Sequence, residues 1–525
     1  MSDSVKKITK ATFFVIIVTV LSKLFGFLRE VVLGAFYGTS YKLDSLIAAQ
    51  LLPGVFFASI LASFSTTFIP IYNEILIKES KEKASRFVSK SLFLIVIAAF
   101  IVAVIGSIFS PLIVEIVFRG FDDSVKQLTL QLMRITFFYI VFLGANYVFQ
   151  GFLQSNENFV VPVLVGIPFN VIIIFSAFLK REFDIYGVAV AFVLGYFSMV
   201  LFQIPFAVKK GFKFKLDFNL RDPYINKLFK LVLPVFIGSS VMSLNSFVDR
   251  YLASFLPEGS ISALNFADKL NGVVYGIFSG SVSAVIYPYL SRFFSSGKKE
   301  EFKKYLVLSI NSLILIMVPI TATVLVLSRE IVQFVYERGA FDSRSTYLTS
   351  GALMFFSLGY LGYAVREILS RTFYSIQDTL TPMKNGIFAV VINIILNIVL
   401  VKFLKHRGLA LGTSIVAYVS VFLLMRSLFR KIGKIELKSS LVVFIKALFA
   451  SFVMAISIIF AKNLIQVKTP VTFITKVINL SIWGFCGVIS YSTVIYLLKI
   501  KEAQWILKNS IKVLKKVREL AAKQW

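Results

Sequence analysis

Fourteen apolar runs follow one another along this chain, each long enough to cross a bilayer as a helix. They fall at 11–28, 44–72, 87–118, 127–152, 159–179, 185–208, 228–256, 262–290, 302–327, 347–373, 383–404, 407–429, 438–465 and 473–499. A hydrocarbon core about 30 Å thick needs roughly 17–25 residues, each rising about 1.5 Å. Inside it every backbone N–H and C=O must be bonded within the chain, which a helix does alone. The fold class is therefore an all-α polytopic membrane protein with fourteen transmembrane helices. Its charged fraction of 16% lies well below the roughly 25% of a soluble domain.

An even number of spans puts both termini on one side. The N-terminus, the loops after helices 2, 6, 8 and 12, and the C-terminal tail carry most of the Lys and Arg outside the spans. By the positive-inside rule both termini are expected in the cytoplasm. The net charge of +29 is then a topology signal with attraction to anionic membrane lipids, and nucleic acid is not needed to explain it. No cleavable signal peptide is read, because the first apolar run lacks a small-residue cleavage site.

The chain repeats itself at an offset of about 220 residues. Ser63–Tyr72 ends helix 2 with Pro70 before a basic loop, and Ser281–Leu290 ends helix 8 with Pro288 before another. Pro162 and Gly166 of helix 5 match Pro382 and Gly386 of helix 11, and Gly187 opening helix 6 matches Gly408 opening helix 12. Six helices per copy make this a parallel repeat, as in two-lobed transporters. The domains are read as an N-lobe at 1–220, a C-lobe at 221–435, extra helices 13 and 14 at 436–500, and a basic amphipathic tail at 501–525. Proline and glycine in helices 2, 5, 8 and 11 lead us to expect bends there.

Charges inside the spans are the candidates for function. Lys23, Arg29 and Glu30 close helix 1, with Lys23 and Glu30 seven residues apart and so on one face. A cation near the bilayer centre costs at least ~2.5–3.5 kcal/mol on insertion scales. Two readings stand: the charges mark the outer interface with Lys23 snorkelling, or they face a wet interior. Asp268 and Lys269 of helix 8 offer the same choice between local ion pairing and a cleft between the lobes. Three cations around such a cleft suit a diphosphate or carboxylate. Asn393 and Asn397 share a face of helix 11; with Asp249 of helix 7 and Thr413 of helix 12 they form an oxygen set for an alkali cation or ordinary interhelical hydrogen bonds.

Enzyme chemistry has no signature here. One cysteine, Cys486, and one histidine, His406, exclude a disulfide framework, a Cys-based metal cluster and a Ser/His/Asp set. His406, in Lys405-His406-Arg407, is expected to be a solvated loop residue.

Ser22–Glu30, Leu43-Asp44, Phe68-Ile69-Pro70, Asn265–Lys269 and Glu337-Arg338-Gly339-Ala340-Phe341 together resemble the MurJ (MviN) family. These are lipid II flippases of the multidrug/oligosaccharidyl-lipid/polysaccharide exporter superfamily. The likeness spans about residues 8–430, and its fourteen helices agree. It implies a two-lobed carrier in the bacterial inner membrane that turns an undecaprenyl-diphosphate-linked peptidoglycan precursor outward by alternating access. It puts cavity roles on Lys23, Arg29, Glu30 and Lys269, with Asp44 and Asp268 in support. It puts a sodium site on Asp249, Asn393, Asn397 and Thr413, with no other cofactor, and a lipid-tail groove on helices 13 and 14. A monomer is expected, with the lipid-linked glycan and membrane lipids as its partners.

This sequence departs from the family where two cavity arginines are Lys23 and Lys269, which keep charge but lose bidentate phosphate geometry. Helix 2 carries Phe57–Ser63 where the family has a basic pair and an acidic residue, and Asn397 stands where an aspartate occurs. The rival readings are a flippase for another polyprenyl-diphosphate glycan and a multidrug/cation antiporter. An antiporter would want an acidic cavity. A glycosyltransferase or polymerase would need an outward acidic or histidine catalytic set, which the sequence does not offer, and a scaffold would leave the intramembrane charge unexplained.

Overall fold

The computed structural model describes residues 3–215, 222–464 and 473–500. The amphipathic tail expected at 504–523 lies outside the described residues. In chain order the α-helices are α1 (Asp3–Tyr37), α2 (Tyr41–Ala49), α3 (Ala58–Lys78), α4 (Lys81–Val117), α5 (Asp123–Thr136), α6 (Tyr139–Ser155), α7 (Val161–Leu164), α8 (Gly166–Phe178) and α9 (Lys180–Lys209). They continue as α10 (Pro223–Ser254), α11 (Ser260–Ser295), α12 (Lys299–Val335), α13 (Ser343–Ser357), α14 (Tyr360–Ser375), α15 (Leu380–Leu404), α16 (His406–Ile432), α17 (Lys438–Leu464) and α18 (Phe473–Leu497). A π-helical turn, Leu51–Phe57, joins α2 to α3. Each apolar run read from the sequence is thus mainly helical over its described residues. Among the described residues ten helical stretches are long and apolar enough to span, α5 with α6 and α7 with α8 each counting as one, or eleven if the bent pair α13–α14 is also one span.

The breaks do not follow the proline pattern. Runs 2 and 5 are interrupted as expected, but so are runs 4 and 10. Run 8 continues as one helix through Pro288, and in run 11 Pro382 stands in the first turn. A proline in the first turn removes no intrahelical bond, since the early N–H groups have no partner there anyway.

The repeat is written into the backbone. Left-handed φ recurs at Gly38 and Gly259 (58° and 87°), Glu157 and Gln377 (59° and 60°), Asp184 and Lys405 (46° and 52°), and Gly211 and Gly433 (93° and 82°). Such φ is uncommon for a non-glycine residue. Finding it at four paired positions, each pair separated by the offset seen in the sequence, shows that both halves turn their corners alike. The cap after the second corner recurs too: Val161 N donates to Asn158 Oδ1 (3.2 Å) and Thr381 N to Asp378 Oδ1 (3.0 Å).

By contacts the chain forms two compact units, Met1–Ala263 with Tyr336–Ser345, and Leu264–Val335 with Thr346–Trp525. These differ from the 220/221 repeat boundary because α10 packs on α3 and the π-turn. In the first unit α1 lies close against α8, where Gly166 leaves room for Ser22 and Gly26 faces Asn170. Small residues let membrane helices approach this way. In the second unit α17 packs along α12, with Leu327, Met454, Ile458, Ala461 and Trp483 as its buried core. His406 is not solvated: it is 5% exposed and its Nε2 contacts Leu348 O at 3.0 Å. It opens a helix, and a polar ring buried there needs such a partner.

Where α1 ends, the first unit gathers three distant segments. Ala340 N donates to Ala35 O (2.7 Å), and Thr39 Oγ1 bonds Ser345 Oγ (2.9 Å). Tyr41 N donates to Glu258 Oε1 (2.8 Å), and Arg344 donates to Glu258 O (2.8 Å). Gly339 has φ 59°, and a Cβ there would overlap Ala35 O. The Glu337–Phe341 motif is therefore a backbone dock for α1. Ser345 N donates to Asp342 Oδ1 (2.8 Å), which holds that carboxyl below the usual range.

Candidate functional site

Two turns of α1 supply the site's first charges, and packing separates them. Lys23 is exposed, Arg29 is half-buried and Glu30 is buried. Arg29 Nη2 donates to Glu30 Oε1 at 2.6 Å, with side-chain exposures of 16% and 8%. The pair is thus formed between chain neighbours, the long arginine bending round to reach the carboxylate. The Arg29 guanidinium lies 5.6 Å from the Phe169 ring of α8 and 5.7 Å from the Phe192 ring of α9. A weakly hydrated planar cation is well held between aromatic faces. Its Nε is buried with no hydrogen-bond partner. One N–H of a desolvated cation is therefore left unspent, which costs free energy unless a ligand takes it.

Around this arginine the frame is aromatic. Tyr196 sits 4.7 Å from both Phe169 and Tyr139, ring to ring. Asn170, 5% exposed, donates to Gly166 O (2.6 Å) and leaves its Oδ1 buried without a partner. Sequence reading missed Phe169, Asn170, Phe192 and Tyr196. Aromatic residues are so frequent in this chain that none stood out, and only the fold shows which of them flank the cation.

Asp44 is held by backbone and hydroxyl donors. It is 3% exposed and accepts Gly259 N and Ser262 N at 2.7 Å each, with the Ser262 hydroxyl as a third donor. These donors open α11, so Asp44 caps that helix from the far end of the sequence. The orphan N–H groups and the positive end of the helix dipole favour a carboxylate there.

The remaining candidates fall into separate groups. Asp268 and Lys269 are both exposed on α11, in the second unit. Asn397 Nδ2 donates to Asn393 Oδ1 at 2.7 Å, and both asparagines are buried on α15. Gly412 of α16 is what lets Asn397 Oδ1 approach that helix, since a Cβ there would overlap it. Thr413 Oγ1 donates to Leu409 O in its own helix (3.0 Å). Asp249 lies in the first unit, half-buried, with Asn245 Nδ2 at 3.5 Å. Within the second unit, Asn393 and Asn397 are thus neighbours on one face of α15.

Comparison with known proteins adds a consistent result. A family model described as "Lipid II flippase MurJ" matches residues 33–478. A probable lipid II flippase MurJ of Rickettsia prowazekii is 30% identical over 416 residues, covering 77% of this chain and 81% of that protein. One from Buchnera aphidicola is 26% identical over 503 residues, covering 94% and 98%. The solved structure of a lipid II flippase MurJ in an inward closed conformation matches with a TM-score of 0.77 at 27% identity, over 93% of this chain and 99% of that one. An inward-facing multidrug resistance MATE family transporter matches with a TM-score of 0.65 at 16% identity, over 78% and 94%, and shares the fold.

Proposed function

This chain belongs to the MurJ family of lipid II flippases, and we propose from that premise how it works. Its cargo is lipid II, an undecaprenyl-diphosphate-linked peptidoglycan precursor, moved from the inner to the outer leaflet of the bacterial inner membrane. The polar head passes through the protein while the polyprenyl tail stays in lipid. The protein is a carrier, and its work is alternating access rather than bond-making. The Lys- and Arg-rich loops support a topology with both termini in the cytoplasm.

The observation that carries this reading is Arg29. A guanidinium held inside the bundle by two phenylalanines, already neutralised on one side by Glu30, still has an N–H to give. A phosphate oxygen is the acceptor such a donor fits. Lys23, exposed on the same helix, and Lys269 of α11 add charge that a point cation supplies to phosphate without fixing its orientation. A cation antiporter would need acidic walls, whereas Glu30 of α1 is already paired with Arg29.

Depletion rescue tests the cargo. Expressed in bacteria whose own lipid II flippase is switched off, the protein is expected to restore growth and outward-facing lipid II. A well-inserted protein that leaves lipid II inside refutes the cargo. Replacing Lys269 by alanine is expected to lower rescue at unchanged expression, and unaltered rescue removes it from the path.

We propose sodium as the coupling ion, with Asp249, Asn393, Asn397 and Thr413 as its ligands. Hard oxygen donors suit an alkali cation, and Asn393 and Asn397 are buried next to each other on one face of α15, the Asn397 amide N–H donating to Asn393 Oδ1. Sodium is expected to raise the melting temperature of the wild type but not that of Asp249→Ala. A wild type indifferent to sodium refutes the site.

A further inference from the structure

The first unit holds a crevice whose lining includes none of the candidate site residues. Its volume is about 500 Å³ and its walls are almost wholly apolar. Leu92, Phe93 and Val96 of α4 form one wall and Phe149 of α6 lies in another, while Phe212 and Phe214 close one end beyond α9. The outer face of α9 beside it is apolar and exposed, as at Leu201 (49%) and Val208 (56%). In a membrane protein such a face meets lipid. A hollow of this size is in the range of a small-ligand pocket, and without an occupant its lining loses dispersion contacts.

The internal repeat shows what covers the same place in the other copy. α4 and α12 are both 37-residue helices opening on lysine. In that register Leu92, Phe93 and Val96 correspond to Ile310, Asn311 and Ile314. The first three are half-exposed, whereas their mates are 6%, 1% and 4% exposed. α12 is packed on by α14 and also by the C-terminal pair: α17 runs along it, and Tyr491 of α18 donates to Leu315 O (2.9 Å) beside Ile314. Helices α17 and α18 have no counterpart in the first copy, so the crevice is the same face left uncovered.

One rim of the crevice is basic. Lys209, Lys210, Lys213 and Lys215 are all exposed and interleave with the lining residues Val208, Phe212 and Phe214. The segment is fixed rather than loose. Lys213 N donates to Ser85 Oγ (3.3 Å), Lys215 N donates to Ser89 Oγ (3.2 Å), and Ser89 Oγ donates to Lys213 O (3.1 Å). Four like charges beside an apolar slot complement a molecule with an anionic head and an aliphatic tail.

We propose that this crevice is a binding site for one anionic phospholipid, its acyl chain in the slot and its phosphate among the four lysines. The lipid stands in for the helix pair that seals the second copy. The test uses the full chain in vesicles containing phosphatidylglycerol or phosphatidylcholine probes with a photoreactive diazirine at the acyl end. After illumination, labelled peptides are mapped by mass spectrometry. The phosphatidylglycerol probe is expected to label the α6 and α9 walls roughly tenfold more than the phosphatidylcholine probe. The combined Lys209→Gln, Lys210→Gln, Lys213→Gln and Lys215→Gln variant is expected to fall to the phosphatidylcholine level, and Val96→Trp to lose wall labelling with both probes. Equal labelling by the two probes, labelling no stronger at the crevice than on other lipid-facing helices, or a lysine variant labelled like the wild type overturns the proposal. Labelling requires no transport, so this result stands or falls apart from the identity of the cargo.

Discussion

Arg29→Ala is expected to abolish flipping and to cost about 3–5 kcal/mol of stability, the usual penalty for breaking a buried ion pair from one side. The charge removed is the partner of Glu30 at 2.6 Å, and neither side chain is more than 16% exposed. A single substitution therefore confounds two effects, lost fold and lost function. The double variant Arg29→Met with Glu30→Leu separates them. A hydrophobic replacement of similar volume for both partners is often neutral or stabilising, and methionine packs well against the Phe169 and Phe192 rings. The double variant is expected to melt near the wild-type temperature and still not flip. Arg29→Lys is expected to fold but to transport poorly, because an ammonium has neither the planar face nor the Nε–H. Lipid II transport by the double variant in the depletion assay would show that Arg29 only holds the fold together.

Asp44→Ala carries the second large effect. Three donors lose their acceptor at once: Gly259 N, Ser262 N and the Ser262 hydroxyl. Each buried donor left unserved costs about 1–3 kcal/mol, and because they share one site the sum is not simply additive. A loss of about 3 kcal/mol or more is expected, read as a lower melting temperature and faster amide exchange at Gly259 and Ser262. Asp44→Asn is expected to fall between, since an amide oxygen accepts one or two bonds but brings no charge to the helix dipole. Unchanged exchange at Gly259 and Ser262 in Asp44→Ala would show that the carboxylate does not cap α11.

The parts of this molecule that were legible from its residues are those fixed by the solvent and by local order. Hydropathy dictates helices because nothing else satisfies a backbone in hydrocarbon, so the all-helical fold and its order along the chain were readable. Repetition was readable because duplication leaves its offset in the glycine and proline positions. Arg29 and Glu30 were readable as candidates because charge in an apolar run is conspicuous. Their surroundings were not. Phe169 and Phe192 are more than 130 residues from Arg29, and Gly259 and Ser262 more than 210 from Asp44; tertiary packing alone selects such partners. The breaks in runs 4 and 10 were hidden for a related reason, since no proline marks them. His406 looked solvated because its neighbours Lys405 and Arg407 are charged, yet adjacent residues on a helix point about 100° apart and share no environment.

The paired left-handed corners have a consequence for how this architecture ages. At two of them the residue has changed type, from Glu157 to Gln377 and from an acid at Asp184 to a base at Lys405, while the sign of φ stayed the same. The bend is thus common to both halves whatever side chain stands there, held in place by the helices it connects. The charge at those elbows serves each half separately, Asp184 pairing with Lys42 in the first, so each half carries its own surface chemistry on one shape.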